Sequence, residues 1–149
     1  ALFDRAEALM QPAPALTDML TRFRAETFER DGQKERSDAL YYQLWTERNR
    51  FDLLGRIWEH YNDTERAEKD EAYARRSRFI TVLFATEYLA RPKRDAKLMS
   101  FLNTQLNKFV SDMFFRQTKQ LPTLAPDGKA GVCTEEQLHT LMSRLQGVR

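Results

Sequence analysis

Glu136 and His139 lie three residues apart, a spacing that puts a carboxylate and an imidazole on one face of a helix. Two-metal carboxylate sites in helical bundles use this Glu-x-x-His spacing, and they draw their ligands from several helices. Such a site takes a second pair of the same kind. The other histidine, His60, has Ile57 three residues before it, so the second pair is missing. The sequence therefore predicts no metal site.

Cys133 is the only cysteine, and it comes directly before Thr134, the predicted cap of the last helix. Unpaired backbone N–H groups at a helix N-terminus favour a thiolate, which would make this position reactive. His139 follows six residues later, but helical geometry directs the two side chains differently, so we expect an ordinary unpaired thiol. One cysteine also excludes an internal disulfide framework and any multi-cysteine metal site.

The motifs that hold phosphates or activate a nucleophile are missing from the sequence, which contains no P-loop, no G-x-G-x-x-G and no G-x-S-x-G. We therefore predict no catalytic residue, no cofactor and no enzymatic activity. A helical enzyme or metal protein is kept as a third hypothesis for the function, and it is supported only by the isolated pair of Glu136 and His139.

Two clusters of positive charge lie on either side of an apolar stretch, RRSRFITVLFATEYLARPKR, at residues 75–94. Basic side chains that contact phosphates release counterions, which makes such clusters candidates for nucleic-acid binding. The candidate residues are Arg75, Arg76, Arg78, Arg91, Lys93, Arg94 and Lys97. The two clusters are about 16 residues apart, or about 24 Å along one helix. Whether they form one patch is left open, and no known nucleic-acid-binding motif accompanies them.

The same stretch has two other interpretations, a membrane span and a core helix. Its uninterrupted apolar run, residues 79–85, is far shorter than the ~20 residues needed to cross a bilayer. Glu87 also interrupts the wider stretch. A core helix with solvated ends is the favoured interpretation, and the helix dipole favours Arg91 near its C-terminus. We predict no membrane span.

Ten phenylalanines supply large apolar side chains, and those at helical spacing are expected to lie in the core. Met113, Phe114 and Phe115 are consecutive, however, so together they cover more than one face of a helix. At least one of these rings is then exposed or packed against a partner. Phe114 and Phe115 are therefore the predicted protein interface.

Length and composition limit the fold class. A chain of 149 residues is one domain's worth, and 24 basic against 22 acidic residues give a net charge of only +2. Five glycines and five prolines are few for a sheet protein, and helix-forming residues dominate the long segments. We predict an all-α fold made of one helical domain, residues 1–149. The single cysteine and the lack of a signal-peptide pattern favour the cytoplasm.

Hydrophobic periodicity predicts a bundle of five or six helices, built around three long antiparallel ones. The predicted helices span residues 1–10, 16–30, 37–61, 64–90, 95–119 and 134–146. Ser37 is the predicted N-cap of the first long helix, and Thr134 with Gln137 forms a capping box at the start of the last helix. Residues 120–133 are predicted to form a connection with a turn at residues 126–128.

The apolar face of the helix at residues 16–30 is predicted to consist of Leu16, Met19, Leu20 and Phe23. For the function, we expect a non-enzymatic interaction module: an adaptor, a regulator or a subunit of a larger assembly, with self-association left open. The surplus aromatics near residue 114 and the polar first half of the helix at residues 64–90 motivate this expectation. The alternative is a nucleic-acid-binding accessory or regulatory protein that uses the two basic clusters.

Overall fold

The computed structural model describes residues 14–147, and over this range the fold is predominantly α-helical, as predicted. Its elements, in chain order, are α1 (Pro14–Arg30), α2 (Lys34–Arg48), α3 (Phe51–Glu59), α4 (Thr64–Lys69), α5 (Glu71–Leu89), α6 (Ala96–Arg116), β1 (Gln120–Leu124), β2 (Ala130–Thr134) and α7 (Glu135–Leu145). The helix predicted at residues 1–10 lies outside the described residues.

Backbone contacts divide the chain into two compact units, one ending at Ile57 and the other beginning at Trp58. The boundary falls inside α3. The prediction of one helical domain over residues 1–149 stays a prediction.

The long helix predicted at residues 37–61 is interrupted, which corrects the sequence-based prediction. Asn49 adopts the left-handed conformation with φ 53°, and its N–H bonds to the carbonyl of Trp45 at 2.7 Å. Asparagine tolerates this conformation, so it ends α2 in the manner of a C-terminal cap. The helix also begins earlier than predicted, at Lys34, so Ser37 is buried within α2 and does not cap it.

The helix predicted at residues 64–90 is likewise divided, at Asp70. This residue has an extended backbone with φ −125°, and its carboxylate accepts a hydrogen bond from the N–H of Tyr73 at 3.1 Å. Asp63 caps α4 in the same way through the N–H of Arg66. Residues 64–69 contain no buried side chain. No buried contact therefore holds α4 in line with α5. Aspartate favours the N-cap position, so a new helix begins after Asp70.

In the first unit, the predicted apolar face of α1 holds only in part, since Leu16 and Leu20 are half-buried but the other two residues are exposed. Met19 is 66% exposed and Phe23 50% exposed, whereas Ala25 is fully buried. The inward face follows residues at helical spacing, namely Asp18, Arg22, Ala25 and Glu29. Three of them form ion pairs with α2 or α3: Asp18 with Arg48 at 3.2 Å, Arg22 with Asp52 at 3.8 Å and Glu29 with Arg56 at 2.6 Å. The prediction of Met19 and Phe23 as core residues is wrong, because these ion pairs form the contact of α1 with α2 and α3.

The second unit is built on α5 and α6, which run antiparallel. Glu71 at the start of α5 lies 3.5 Å from Arg116 at the end of α6. Further along the pair, Phe84 of α5 and Phe101 of α6 both pack against Trp58, with ring centroids 4.7 and 5.8 Å away. The largest apolar side chains of this unit that are fully buried are Tyr73, Ile80, Leu102, Leu106, Met113, Leu121 and Leu138. The predicted antiparallel pairing of long helices therefore holds for α5 and α6.

Residues 120–134 form a β-hairpin where the sequence predicted only a connection. β1 and β2 pair antiparallel, with Leu121 opposite Cys133. The predicted turn is present: Gly128 has φ +91°, and the carboxylate of Asp127 accepts a hydrogen bond from the N–H of Lys129 at 3.0 Å. The strands were missed because each is only five residues long and Pro122 interrupts the first.

Candidate interaction surfaces

Phe114 and Phe115 are strongly exposed at the C-terminal end of α6. Their exposed fractions are 78% and 81%, and their ring centroids lie 5.9 Å apart in an edge-to-face arrangement. Met113, the preceding residue, is fully buried in the core. Because helix positions advance by about 100° per residue, burial of Met113 turns both rings away from the core. The structure therefore places the two predicted interface residues together on the surface.

Charged residues of both signs border the two rings. Asp112 and Arg116 are exposed on either side of them in the sequence, and Arg116 contacts the Glu71 carboxylate at 3.5 Å. α6 then ends at Gln117, which adopts the left-handed conformation. The N–H of Thr118 bonds back to the carbonyl of Met113 at 2.9 Å, which fixes the chain immediately after the aromatic pair. The rings thus project from a well-capped helix end.

Arg78, a predicted nucleic-acid-binding residue, is buried. Its side chain is 2% exposed, and its Nη1 donates to the carbonyl of Pro122 at 2.9 Å and to the carboxylate of Glu71 at 3.2 Å. A guanidinium held in this way cannot reach a phosphate. The inclusion of Arg78 among the nucleic-acid-binding candidates is therefore wrong, because the arginine connects α5 to the hairpin.

Glu71 contacts three guanidinium groups at the start of α5. In addition to Arg78, it lies 3.6 Å from Nε of Arg75 and 3.5 Å from Nη2 of Arg116. Partial burial alone would raise the pKa of Glu71, but the charges and hydrogen bonds of Arg78 and Arg116 outweigh it and hold this pKa below its usual value. The i,i+4 spacing of Glu71 and Arg75 in the sequence indicates one of these three pairs, whereas the contact with Arg116 depends on the fold. Two of the three arginines in the first basic cluster are consequently paired with this carboxylate, and Arg76 is half-buried.

The second basic cluster is exposed. Arg91, Lys93, Arg94 and Lys97 all lie on the surface, in the connection from α5 to α6 and the first turn of α6. Nη1 of Arg94 donates to the carbonyl of Leu89 at 3.2 Å, which orders part of the connection. Asp95 caps α6 by accepting from the N–H of Leu98 at 3.0 Å. The two basic clusters lie at opposite ends of α5, roughly 20 Å apart, so the structure does not bring them into one patch.

Cys133 of β2 is buried, with an exposed fraction of 2%. Burial raises the pKa of its thiol, and the nearby charge of Arg78 opposes this only partly. The group is therefore a neutral thiol near pH 7 and not a nucleophile. Cys133 is unpaired, as predicted.

His139 lies at an open polar depression of about 580 Å³ beside the start of α7. The depression is lined by Thr118, Lys119, Gln120, Thr134, Glu135, Glu136 and His139. Nε2 of His139 is 3.9 Å from the carboxylate of Glu135, one turn away on the same helix. Over residues 14–147, no three His, Cys, Asp or Glu side chains are placed to hold a metal ion.

None of the helices within residues 14–147 has the length and apolar character required to cross a membrane. Comparison of the chain with protein-family models, with curated proteins and with solved structures finds no match in any of the three.

Proposed function

We propose that the chain is a non-enzymatic protein-interaction module and that Phe114 and Phe115 bind its partner. The observation that carries this proposal is the near-complete exposure of two adjacent aromatic rings beside a fully buried Met113. A buried aromatic side chain removes roughly 150–250 Å² from water, so two exposed rings leave a large apolar area unused in the monomer. Aromatic anchors of this kind dominate the energetics of protein interfaces.

The partner that fits this surface is another protein with an apolar recess for two perpendicular rings. Charges at the rim of that recess would complement Asp112 and Arg116, which are exposed beside the rings. The rings are presented on a long helix whose end is capped, so little conformational entropy is lost on binding. An adaptor, a regulator or a subunit of an assembly would use such a rigid aromatic anchor.

The proposal is tested by affinity isolation from cells of the source organism, with quantitative mass spectrometry of the bound proteins. Wild type is compared with Phe114→Ser/Phe115→Ser and with Met19→Ser, a matched loss of an exposed apolar side chain elsewhere. We expect at least one stoichiometric partner that is lost with the aromatic pair and kept with Met19→Ser. The same partners at the same levels in all three samples would contradict the proposal.

A second candidate function is nucleic-acid binding by the connection between α5 and α6, where Arg91, Lys93, Arg94 and Lys97 are all exposed. Contacts to phosphates would make the affinity fall steeply with salt. Fluorescence anisotropy with duplex and single-stranded oligonucleotides tests this candidate over a salt series. Charge reversal at Arg91, Lys93 and Arg94 should abolish salt-sensitive binding. An equal charge reversal at the exposed lysines Lys34, Lys69 and Lys108 should leave the binding unchanged. Equal effects of the two triple variants would contradict nucleic-acid binding by the connection between α5 and α6.

We further propose a cytoplasmic location, which is supported by a cysteine that stays a free thiol.

A further inference from the structure

The hydrogen bonds at the two ends of the hairpin fix which backbone groups of β2 point outward. The N–H of Ala125 bonds to the carbonyl of Lys129, and the N–H of Glu135 bonds to that of Lys119, each at 2.9 Å. Hydrogen-bonded and non-hydrogen-bonded pairs alternate along an antiparallel ladder. The pair of Pro122 and Val132 is therefore non-hydrogen-bonded, as proline requires.

Most of the outer edge of β1 is protected from pairing with a further strand. Pro122 has no N–H, and its outward carbonyl already accepts a hydrogen bond from Arg78 at 2.9 Å. The N–H of Gln120 is bonded to the hydroxyl of Thr118 at 3.3 Å. Proline and occupied backbone groups are the usual means by which proteins protect an edge strand from pairing with another chain.

The outer edge of β2 carries none of these protections. The alternation directs the N–H and C=O groups of Ala130 and Val132 away from β1, and within residues 14–147 no hydrogen bond occupies them. The side chains of both residues are exposed, Val132 to 53%. β2 contains neither a charged residue nor a proline. It is therefore an edge strand prepared to accept another strand.

We infer that β2 pairs antiparallel with β2 of a second copy of this chain, which joins the two hairpins into one four-stranded sheet. The pairing is centred on Val132, where the two copies exchange a reciprocal pair of backbone hydrogen bonds. The N–H of each Thr134 bonds in addition to the carbonyl of Ala130 in the other copy. The carbonyl of Thr134 takes no part in this pairing. Thr134 is the N-cap of α7, and its carbonyl accepts the first hydrogen bond within that helix.

Charge complementarity selects a second copy as the occupant of this edge. With Val132 opposite itself, Lys129 of each copy lies opposite Glu135 of the other, so both ends of the paired strands carry an opposite-charge pair. Cross-strand pairs of opposite charge stabilise a ladder, and like charges in the same place destabilise it. The turn at residues 126–129 of each copy would meet the open depression beside Glu135 and Glu136. An unrelated extended peptide could form the same backbone hydrogen bonds, but its sequence would not in general place opposite charges next to Lys129 and Glu135.

This inference does not depend on the proposed function, because the edge of β2 and the aromatic pair are different surfaces. The test is sedimentation velocity of the full chain over a concentration series. Val132→Pro removes an outward N–H that the hairpin itself does not use, and Pro122 already occupies the paired position on β1. We expect a concentration-dependent dimer whose dissociation constant rises about tenfold or more in Val132→Pro. Circular dichroism should be unchanged.

A charge exchange provides the second arm. Lys129→Glu and Glu135→Lys should each weaken the dimer, because each places like charges opposite one another at both ends of the strand pair. The double variant Lys129→Glu/Glu135→Lys should restore it, a rescue that a loss of fold could not produce. The inference would be overturned by a wild-type chain that stays monomeric at about 100 µM, a concentration at which even a weak dimer would form. A dimer unaffected by Val132→Pro would overturn it as well. A dimer lost only in Phe114→Ser/Phe115→Ser would also overturn the inference while agreeing with the proposed function.

Discussion

The guanidinium of Arg78 donates a hydrogen bond to the carbonyl oxygen of Pro122 at 2.9 Å, which joins the middle of α5 to the outer edge of β1. The same side chain contacts Glu71, which in turn contacts Arg116 at the end of α6. One buried arginine thus connects the hairpin and the α5–α6 pair. It also occupies the carbonyl that another strand would otherwise use on the β1 side.

Replacing Arg78 with methionine should lower the free energy of unfolding by about 1–3 kcal/mol, because the Pro122 carbonyl loses its charged donor. Arg78→Lys should cost less, since it keeps the charge and one hydrogen bond. Urea unfolding followed by circular dichroism measures both effects. Arg75→Met is the control, and it should stay within about 0.5 kcal/mol because Arg75 is exposed. Equal stabilities of Arg78→Met and Arg75→Met would show that the buried contact contributes nothing.

Glu71→Gln should reduce stability mainly above pH 4–5. The pKa of Glu71 is lower in the folded chain than its unfolded value of about 4.3, so its stabilising contribution is present above that value. The contribution is lost as the pH falls through the folded pKa. Because the carboxylate is 43% exposed, we expect a difference of only about 1 kcal/mol at pH 7. Unfolding curves from pH 3 to 7 should converge for wild type and variant at the acid end. A difference that is constant across this range would contradict the assignment.

Tyr73→Phe should cost about 1–2 kcal/mol, because the hydroxyl makes two hydrogen bonds at the corner before α4. It accepts from the N–H of Asp63 at 3.1 Å and donates to the carbonyl of His60 at 2.9 Å. Amide hydrogen exchange offers a local measurement, since the Asp63 amide should lose protection more than the amides of α6. Unchanged protection at Asp63 would mean that the corner does not depend on the hydroxyl.

Phe114→Ser/Phe115→Ser should change the free energy of unfolding by no more than about 0.5 kcal/mol, because neither ring is part of the core. Met113→Ala, one residue earlier, should cost about 2–5 kcal/mol by leaving a cavity. Thermal and urea unfolding of the two variants separate these effects. A double serine variant as unstable as Met113→Ala would mean that the rings pack within the protein and are not held for a partner.

The cap of the last helix and the hairpin turn were predictable from the sequence because their signals are local. Thr134 caps α7 as expected, α6 begins next to residue 95 where the sequence predicted it, and the turn at residues 126–128 follows from its Asp-Gly pair. The exposure of at least one of Phe114 and Phe115 was also predictable, because three consecutive large apolar residues cannot all face one core.

Features that depend on tertiary partners were not predictable. Arg78 belongs to a run of bases, and only the distant Pro122 carbonyl makes its burial favourable. The apolar spacing of Met19 and Phe23 predicted a core face, but Asp18 and Glu29 of α1 form the ion pairs with α2 and α3 and both apolar side chains are exposed. The helix ends at Asn49 and Asp70 were missed for another reason: their signals are local, but the hydrophobic periodicity that set the predicted bounds continues through both residues.

The central claim is that Phe114 and Phe115 bind another protein, and site-specific photo-crosslinking in cells tests it most directly. A benzophenone amino acid is placed at Phe115 and, as the control, at Met19, which is 66% exposed. We predict one discrete crosslinked species from position 115, absent at position 19, which mass spectrometry identifies as a single partner protein. No crosslinked species at position 115, or the same mixture of species at both positions, would contradict the claim.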